Sequence, residues 1–497
     1  MFRALIISSL VLNVGILLGR LSGFAREAFV ASTFGVTAEA DVVVLMLTIP
    51  DVLVNILMGG AMGAALIPVF TEKTDQARQL LYQMMLLGLV FFALVCVLAL
   101  WFMPQLIGLL APGLSSFSFA QAVDVVSGVI WLIPLTVMAG MTTAYLQANN
   151  QFAVPAVGTL IINGVIIAGL LTIYYGYGSL DLLVWFILGG GLLRLVSQLI
   201  RVKVIWNPLS AMQPYRVNKG LLLRYGQAML AGSTLLLIPV AARAMASYSG
   251  DGGIAVFNYA SKLIEFPLVI AVTFLSAVLF PRLASSYQSD RQMHMRLVKI
   301  GLQLSLGLSI TAVIFLSGLH HDYISFVFGY GVMTQTDLNN INSLLSIGLF
   351  SLPVLGVSSM LTAGFNARQQ PFIPMVINTL GLGFFIALVW TLDIAHSLTA
   401  LMWALVGSYT LICAGHIMAF RLSDFSWADM LAGRVFISFF IPLMLVTGIS
   451  VYIISGLDLS SWLRLFIAAL LVFSFMILMV FRNAEIRALI KPEGSKA

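Results

Sequence analysis

Apolar runs of about twenty residues follow one another from near the first residue to near the last, each long enough to carry a helix across the roughly 30 Å hydrocarbon layer of a bilayer. With 60% hydrophobic and 9% charged residues over 497 positions, the sequence is too apolar for a soluble core of that size. A segment in lipid must satisfy its backbone polar groups internally, which selects helices. The expected fold is an all-α polytopic membrane protein.

Arg3 and the apolar stretch from Ala4 to Gly19 look superficially like a signal peptide. No small-x-small cleavage site follows and Arg20 interrupts the run, so the segment reads as a retained first helix. The other spans are expected near 37–70, 79–110, 119–147, 152–175, 181–205, 221–248, 254–286, 296–319, 342–366, 371–392, 397–421, 431–455 and 461–481, about fourteen transmembrane helices with the first. Lys and Arg concentrate in alternate connections, around 71–78, 201–224, 282–299, 368, 421–434 and the C-terminal tail. The bias toward positive charge on the inner side then places both termini in the cytoplasm. The net charge of +6 needs no nucleic acid to explain it.

Cys96 and Cys413 fall within apolar runs and read as small packing residues. His320, His321 and Asp322 cluster without a further nearby ligand, so a solvated loop within about 320–341 is expected there and no metal site. No cofactor is expected.

One internal duplication is visible. The segment PLTVMAGMTTAYLQANNQFAVP, from Pro134 to Pro155, aligns without gaps on PVLGVSSMLTAGFNARQQPFIP, from Pro353 to Pro374, at an offset of 219. Both prolines coincide, as do Ala144 and Ala148 with Ala363 and Ala367, and Gln151 with Gln370. The two copies are six helices apart and share one orientation, the parallel-repeat arrangement of transporters. The expected organisation is an N-lobe over 1–206 (six helices), a cytoplasmic connection 207–220, a C-lobe over 221–424 (six helices), and 425–497 holding two further helices and a cytoplasmic tail.

Charges at bilayer depth cost several kcal/mol and persist where they face a cavity, a partner or a substrate path. In the first helix Asn13, Arg20 and Glu27 recur every seven residues on one face, with Arg26 about 100° away. In the second, Asp41, Thr48 and Asn55 keep the same spacing, with Asp51 beside them. In the eighth, Asn258, Ser261, Lys262 and Glu265 share a face. The structural alternative is a set of interhelical locks, such as Arg26 with Asp41 and Lys262 with Glu265. Gly59-Gly60-Ala61-Met62-Gly63 permits close helix approach, and Gly189-Gly190-Gly191 is expected to kink the sixth helix. Pro50, Pro134, Pro239, Pro267, Pro353 and Pro442 fall within spans and weaken them there.

The stretch GRLSGFAREAFVASTFGVTAEAD, Gly19 to Asp41, resembles the N-terminal signature of the MurJ (MviN) lipid II flippases, members of the multidrug/oligosaccharidyl-lipid/polysaccharide exporter superfamily. NYASKLIEFP, Asn258 to Pro267, is similar to that family's eighth-helix motif. The resemblance implies two lobes around a central cationic cavity that opens alternately to cytoplasm and periplasm. It also implies an undecaprenyl-pyrophosphate-linked glycan precursor for peptidoglycan synthesis as substrate, and residence in the bacterial inner membrane among its lipids. By position, Arg20, Arg26 and Asp41 match polar cavity residues of the family, Lys262 stands where an arginine is usual, and residues 431–481 would line a groove for the lipid tail. Departures are clear too. After the second-helix proline the family has two arginines and an acid, whereas this chain reads Pro50-Asp51-Val52-Leu53-Val54-Asn55 and then Gly59-Gly60-Ala61.

A pyrophosphate is best held by Arg and Lys donors in a low-dielectric pocket. Arg20, Arg26 and Lys262, with Arg243 toward the periplasmic end, are the expected substrate binders. Glu27, Asp41, Asp51, Asn55 and Glu265 are the expected cavity and coupling residues. The membrane potential, a proton or another ion would drive the cycle. Competing readings are a flippase for another lipid-linked oligosaccharide, such as an exopolysaccharide or O-antigen unit, and a cation-coupled drug exporter. An integral-membrane glycosyltransferase or phosphatase is disfavoured, because the longest expected loops offer no set of acids, histidines or metal ligands.

Overall fold

The computed structural model describes residues 2–58, 66–67, 70–71, 74–202, 236–268, 274–421 and 435–483, and among these there is no strand. In chain order the helices are α1 (Phe2–Phe34), α2 (Ala38–Met58), α3 (Thr74–Trp101), α4 (Met103–Leu110), α5 (Ser116–Val129), α6 (Leu132–Ala148), α7 (Ala153–Tyr174) and α8 (Leu180–Val202). Helical residues 236–246 and a short turn, Ser247–Ser249, follow. Then come α9 (Gly253–Leu268), α10 (Phe274–Ser289), α11 (Arg291–Phe328), α12 (Gln335–Gly348), α13 (Ser351–Ala367), α14 (Phe372–Thr391) and α15 (Leu398–Arg421). A π-helical turn, Phe436–Phe440, leads into α16 (Ile441–Ser455), and α17 (Ser461–Arg482) ends the described chain. Nine helical segments among the described residues are long and apolar enough to cross a membrane, or ten if the bent pair α12 and α13 forms one span. The expected connection 207–220, the start of the seventh span and the cluster from Gly59 to Gly63 lie outside the described residues.

Two compact units divide the chain: residues 1–258 with 331–333, and residues 259–330 with 334–497. The first contains α1 to α8. The second contains α10 to α17.

Each unit carries one copy of the duplicated segment, and the offset of 219 holds far beyond the aligned stretch. Helices α5 and α6 cover 116–129 and 132–148; α12 and α13 cover 335–348 and 351–367, the same boundaries shifted. Ser115 caps α5 through Ser118 N, and its counterpart Thr334 caps α12 in a reciprocal box with Asp337. The turn that follows is duplicated bond for bond. Asn150 and Gln369 both take a positive φ, 57° and 59°. Gln151 N donates to Leu146 O at 2.8 Å, and Gln370 N to Phe365 O at 2.9 Å. Pro134 and Pro353 lie just after the helix break in each copy, where a missing N–H and a crowded preceding carbonyl interrupt the helical ladder.

Three expectations change. The stretch 320–328 is helical, not loop: α11 kinks at Leu319 and runs on to Phe328, and Asp322 in this last part is buried and meets Arg464 of α17 at 3.3 Å. Helix α8 passes through Gly189-Gly190-Gly191 without a break. Those glycines serve contact instead: a Cβ on Gly191 would lie 2.2 Å from Leu132 Cδ1 and one on Gly190 3.2 Å from Ile162 O. The spans expected at 79–110, 119–147 and 342–366 are each two helices in sequence.

In the second unit α16 and α17 are fastened to α11 at both ends. Ile300 and Leu304 pack with Phe439, Phe440, Leu443 and Met479, while Leu319 packs with Val451, Ile454 and Ala468. The outward sides of both helices, including Tyr452, Phe466 and Phe473, are exposed and apolar, as lipid-facing helix surfaces are.

Candidate functional site: a buried polar chain in the N-terminal unit

The site begins with helix packing. Gly15, Gly19 and Gly23 line one face of α1 and meet Ala156, Thr159 and Asn163 of α7. A Cβ on Gly15 would fall 2.2 Å from that of Ala156, so only glycine allows this approach. The close contact carries Asn163, an amide in an otherwise apolar helix, up to the polar side of α1.

From there a continuous series of hydrogen bonds crosses the first unit. Asn163 Nδ2 donates to Ser22 Oγ (2.9 Å), which donates to Gly19 O (2.9 Å). Asn163 Oδ1 accepts a long bond from Arg26 Nη1 (3.4 Å). Arg26 Nη2 pairs with Glu27 Oε1 at 2.8 Å. The other oxygen of that carboxylate accepts from Asn258 Nδ2 (2.9 Å). Asn258 Oδ1 accepts from Arg243 Nη1 (3.0 Å), and the same guanidinium nitrogen donates to Thr48 Oγ1 (3.2 Å). Residues of α1, α2, α7, α9 and the helical stretch 236–246 thus converge.

Burial decides which links matter energetically. Arg26 is 6% exposed and Glu27 4%. A neutral interhelical hydrogen bond in a membrane is worth about 0.6 kcal/mol on average. Removing one partner of a buried ion pair costs about 3–5 kcal/mol, because the other charge is stranded. The Arg26–Glu27 pair is therefore the centre of the chain, and the amides and hydroxyls orient it. The chain joins two guanidiniums and a carboxylate through Asn258, and guanidinium donors of this kind are suited to an anion.

The remaining expected residues fall elsewhere. Arg20 lies on α1 but is exposed, although it shares the heptad face of buried Glu27. Asp41 is fully buried and does not meet Arg26: its two oxygens accept from Gly252 N (2.8 Å) and Ala255 N (2.7 Å), capping α9 from another helix. Gly252 adopts φ 83° there, a conformation natural to glycine. Lys262 pairs with Glu265 at 2.9 Å, as the lock reading expects, and this half-exposed pair belongs to the second unit. Asp51 and Asn55 lie on α2, but their side chains lie outside the described residues. Sequence reasoning did not single out Ser22 or Asn163. A lone asparagine in the apolar run from Ala153 to Tyr174 was the available signal, since such a group needs a partner in lipid.

A second buried polar group stands apart in the same unit. Gln198 of α8 accepts from Thr142 and donates to Thr143 at 3.1 Å. Arg194, one turn earlier, is 3% exposed and lies over Gly158, whose missing side chain makes room for it.

The fold is one shared with solved membrane transporters. The chain superposes on a multidrug resistance MATE family transporter of the MOP superfamily in an inward-facing conformation with a TM-score of 0.68, at 13% identity over 84% of this chain and 96% of that one. It superposes on a lipid II flippase MurJ in an inward closed conformation with a TM-score of 0.78, at 18% identity over 98% of this chain and 100% of the other. The lipid II flippase MurJ family profile matches residues 30–478, and the chain belongs to that family. It is 27% identical to the probable lipid II flippase MurJ of Buchnera aphidicola subsp. Acyrthosiphon pisum, over 78% of this chain and 79% of that protein. It is 26% identical to the lipid II flippase MurJ of Burkholderia cenocepacia, over 76% of this chain and 75% of that one. It is a multi-pass membrane protein of a transporter family.

Proposed function

We propose that this protein is an alternating-access flippase that moves lipid II, an undecaprenyl-pyrophosphate-linked glycan precursor of peptidoglycan, from the cytoplasmic to the periplasmic leaflet of the bacterial inner membrane. The observation that carries this reading is the hydrogen-bonded chain of Arg26, Glu27, Asn258 and Arg243 among the membrane helices of a chain in the MurJ family. A diphosphate would exchange for Glu27 on the Arg26 guanidinium, trading one charge-assisted hydrogen bond for another in a low-dielectric setting. Arg20, exposed six residues before Arg26, would meet the headgroup first. Rocking of the lobes over 1–206 and 221–424, with both termini cytoplasmic, would then present the headgroup to the periplasm while the tail stays in lipid beside residues 431–481. The inside-negative potential favours outward movement of negative charge by about 2.3 kcal/mol per charge per 100 mV. That potential, a proton or another ion would supply the drive.

A flippase for another lipid-linked glycan is the second reading. It is favoured by Val54 and Asn55 on α2, at the places where the family resemblance calls for arginines, and by the extra acid Asp51. Two guanidiniums in the chain argue against organic cations as cargo. Complementation of a strain depleted of its lipid II flippase separates these readings. Rescue is the expected result, and failure of a well-expressed protein would contradict the lipid II assignment.

A further inference from the structure

Two loops of the duplicated segments make the same kind of bond at matched positions. Helices α5 and α12 are each preceded by a short loop, and the offset of 219 that relates the helices also relates Gly113 of one loop to Val332 of the other. Gly113 N donates to Ser247 Oγ at 2.8 Å, just past the helical stretch 236–246. Val332 N donates to Ser32 O at 3.0 Å, in the last turn of α1. The acceptors correspond as well: α1 opens the expected N-lobe, and 236–246 belongs to the first span of the expected C-lobe. Each loop thus crosses to the first helix of the other half of the repeat. Both crossings lie within the first unit, which takes in 331–333 although α11 and α12 on either side belong to the second. The last carbonyls of a helix have no partner inside it, so Ser32 O is available to the loop. Gly331, at φ 67°, lets the loop in, because a side chain there would collide with Ser32 O.

The position of these crossings relative to the buried polar chain gives them a role. Ser32 is five residues past Glu27 on α1, Asp41 seven before Thr48 on α2, Ser247 four past Arg243, and Ala255 three before Asn258 on α9. On all four elements the closing contacts therefore sit about one to two turns beyond the chain, toward the same end of the bundle. Neither loop holds a Lys or Arg, so this end is the one opposite the basic connections. We propose that the loops 111–114 and 329–333 are a pair of reciprocal straps that hold this end shut, and that both unhook when a headgroup bound at Arg26 leaves through it. The proposal rests on the flippase reading for the direction of exit. Both hooks are neutral hydrogen bonds, so their release strands no charge, as parting a buried ion pair would.

The test reads access to a buried cysteine in the full-length protein, in right-side-out membrane vesicles treated with an impermeant maleimide. The reporter is Val44→Cys in a background of Cys96→Ala and Cys413→Ala. Val44 is 2% exposed and lies on α2 between Asp41 and Thr48. Gly331→Ala, which sets a side chain against Ser32 O, and Val332→Pro, which removes the donor, are each expected to raise the labelling rate about tenfold. Ser247→Ala removes the acceptor of the other strap and is expected to raise it about threefold, and to multiply the effect of Gly331→Ala. Gly176→Ala is the control. Gly176 has φ 80° and nothing within 4 Å of the place a Cβ would take, so the variant carries similar backbone strain without a collision and should label within about twofold of the reporter alone. Residues 331 and 332 are exposed, so their variants are expected to fold; melting temperatures check this, and whichever of the two is folded decides. Folded strap variants that label within about twofold of the reporter alone, or an equal rise with Gly176→Ala, would overturn the proposal. A rise confined to inside-out vesicles would uphold the straps and reverse the direction of exit, which overturns the flippase reading instead.

Discussion

The two copies of the duplicated segment share a backbone and differ in chemistry. Helices α5 to α7 and α12 to α14 have caps, breaks and left-handed turn residues at matched positions. Yet where the first copy buries Asn163, Arg194 and Gln198, the offset positions hold Leu382, Cys413 and Ile417. Gly158, which leaves space for Arg194, is matched by Ile377, and that side chain fills the corresponding space against Gly415. The copies also bend differently. Residues 116–148 form one continuous span, whereas α12 and α13 meet at 50°. Both carry the proline, so proline explains the break and not the angle. At the last residue of the first helix the first copy has Val129 and the second Gly348, which lies against Ile264 and Met402. Glycine beside a proline-weakened turn is a common cause of a sharp kink. Duplication thus preserved the scaffold, while the buried polar groups differ between the copies: the second buries Asn378 and His416 at positions unmatched in the first, and no arginine at the place of Arg194.

The largest expected effect comes from forcing the first copy's charge on the second. Cys413→Arg would push a guanidinium into the packed cluster of Leu302, Met360 and Phe365, with Ile377 occupying the room that Gly158 leaves in the first copy. A loss of more than about 4 kcal/mol is expected, read as absence of folded protein from the membrane fraction. Next, Gly348→Val restores the first copy's residue but sets a Cβ 2.1 Å from Ile264 Cδ1. Overpacking of that kind costs about 1–3 kcal/mol, measurable as a lower melting temperature. A stability equal to wild type would mean that the bend does not depend on this glycine. The smallest effect belongs to the shared turn: Asn150→Gly and Gln369→Gly should each change stability by no more than about 1 kcal/mol, and with the same sign. Opposite signs would show that the turns are alike in geometry only.

Much of the scaffold was legible in the sequence, because apolar length and the alternation of basic connections act locally along the chain. Helix is present in the described part of each expected span, and the 22-residue alignment marks a duplication that the structure extends from residue 115 to 174. The Lys262–Glu265 pair was legible too, since residues three apart on a helix are neighbours. The partner of Arg26 was not. Adjacent residues point in different directions on a helix, and the contacts from Asn163 to Arg26 and from Asn258 to Glu27 come from distant parts of the chain. Asp41 was misplaced for a related reason: its partners are backbone N–H groups two hundred residues away, invisible to any count of side-chain charges. The glycine triplet in α8 shows the same limit, since a small residue loosens a helix in isolation and tightens packing once neighbours fill the gap.

The central claim is that the buried guanidinium of Arg26 recognises a diphosphate-bearing lipid, and its most direct test is lipid II binding by purified protein in nanodiscs. Arg26→Ala is compared at equal folded amounts with Arg201→Ala, which removes the same charge from an exposed side chain bonded to Gln151. The account expects half-saturation to rise at least about tenfold for Arg26→Ala and to stay at the wild-type value for Arg201→Ala. Equal affinities for Arg26→Ala and wild type would contradict it.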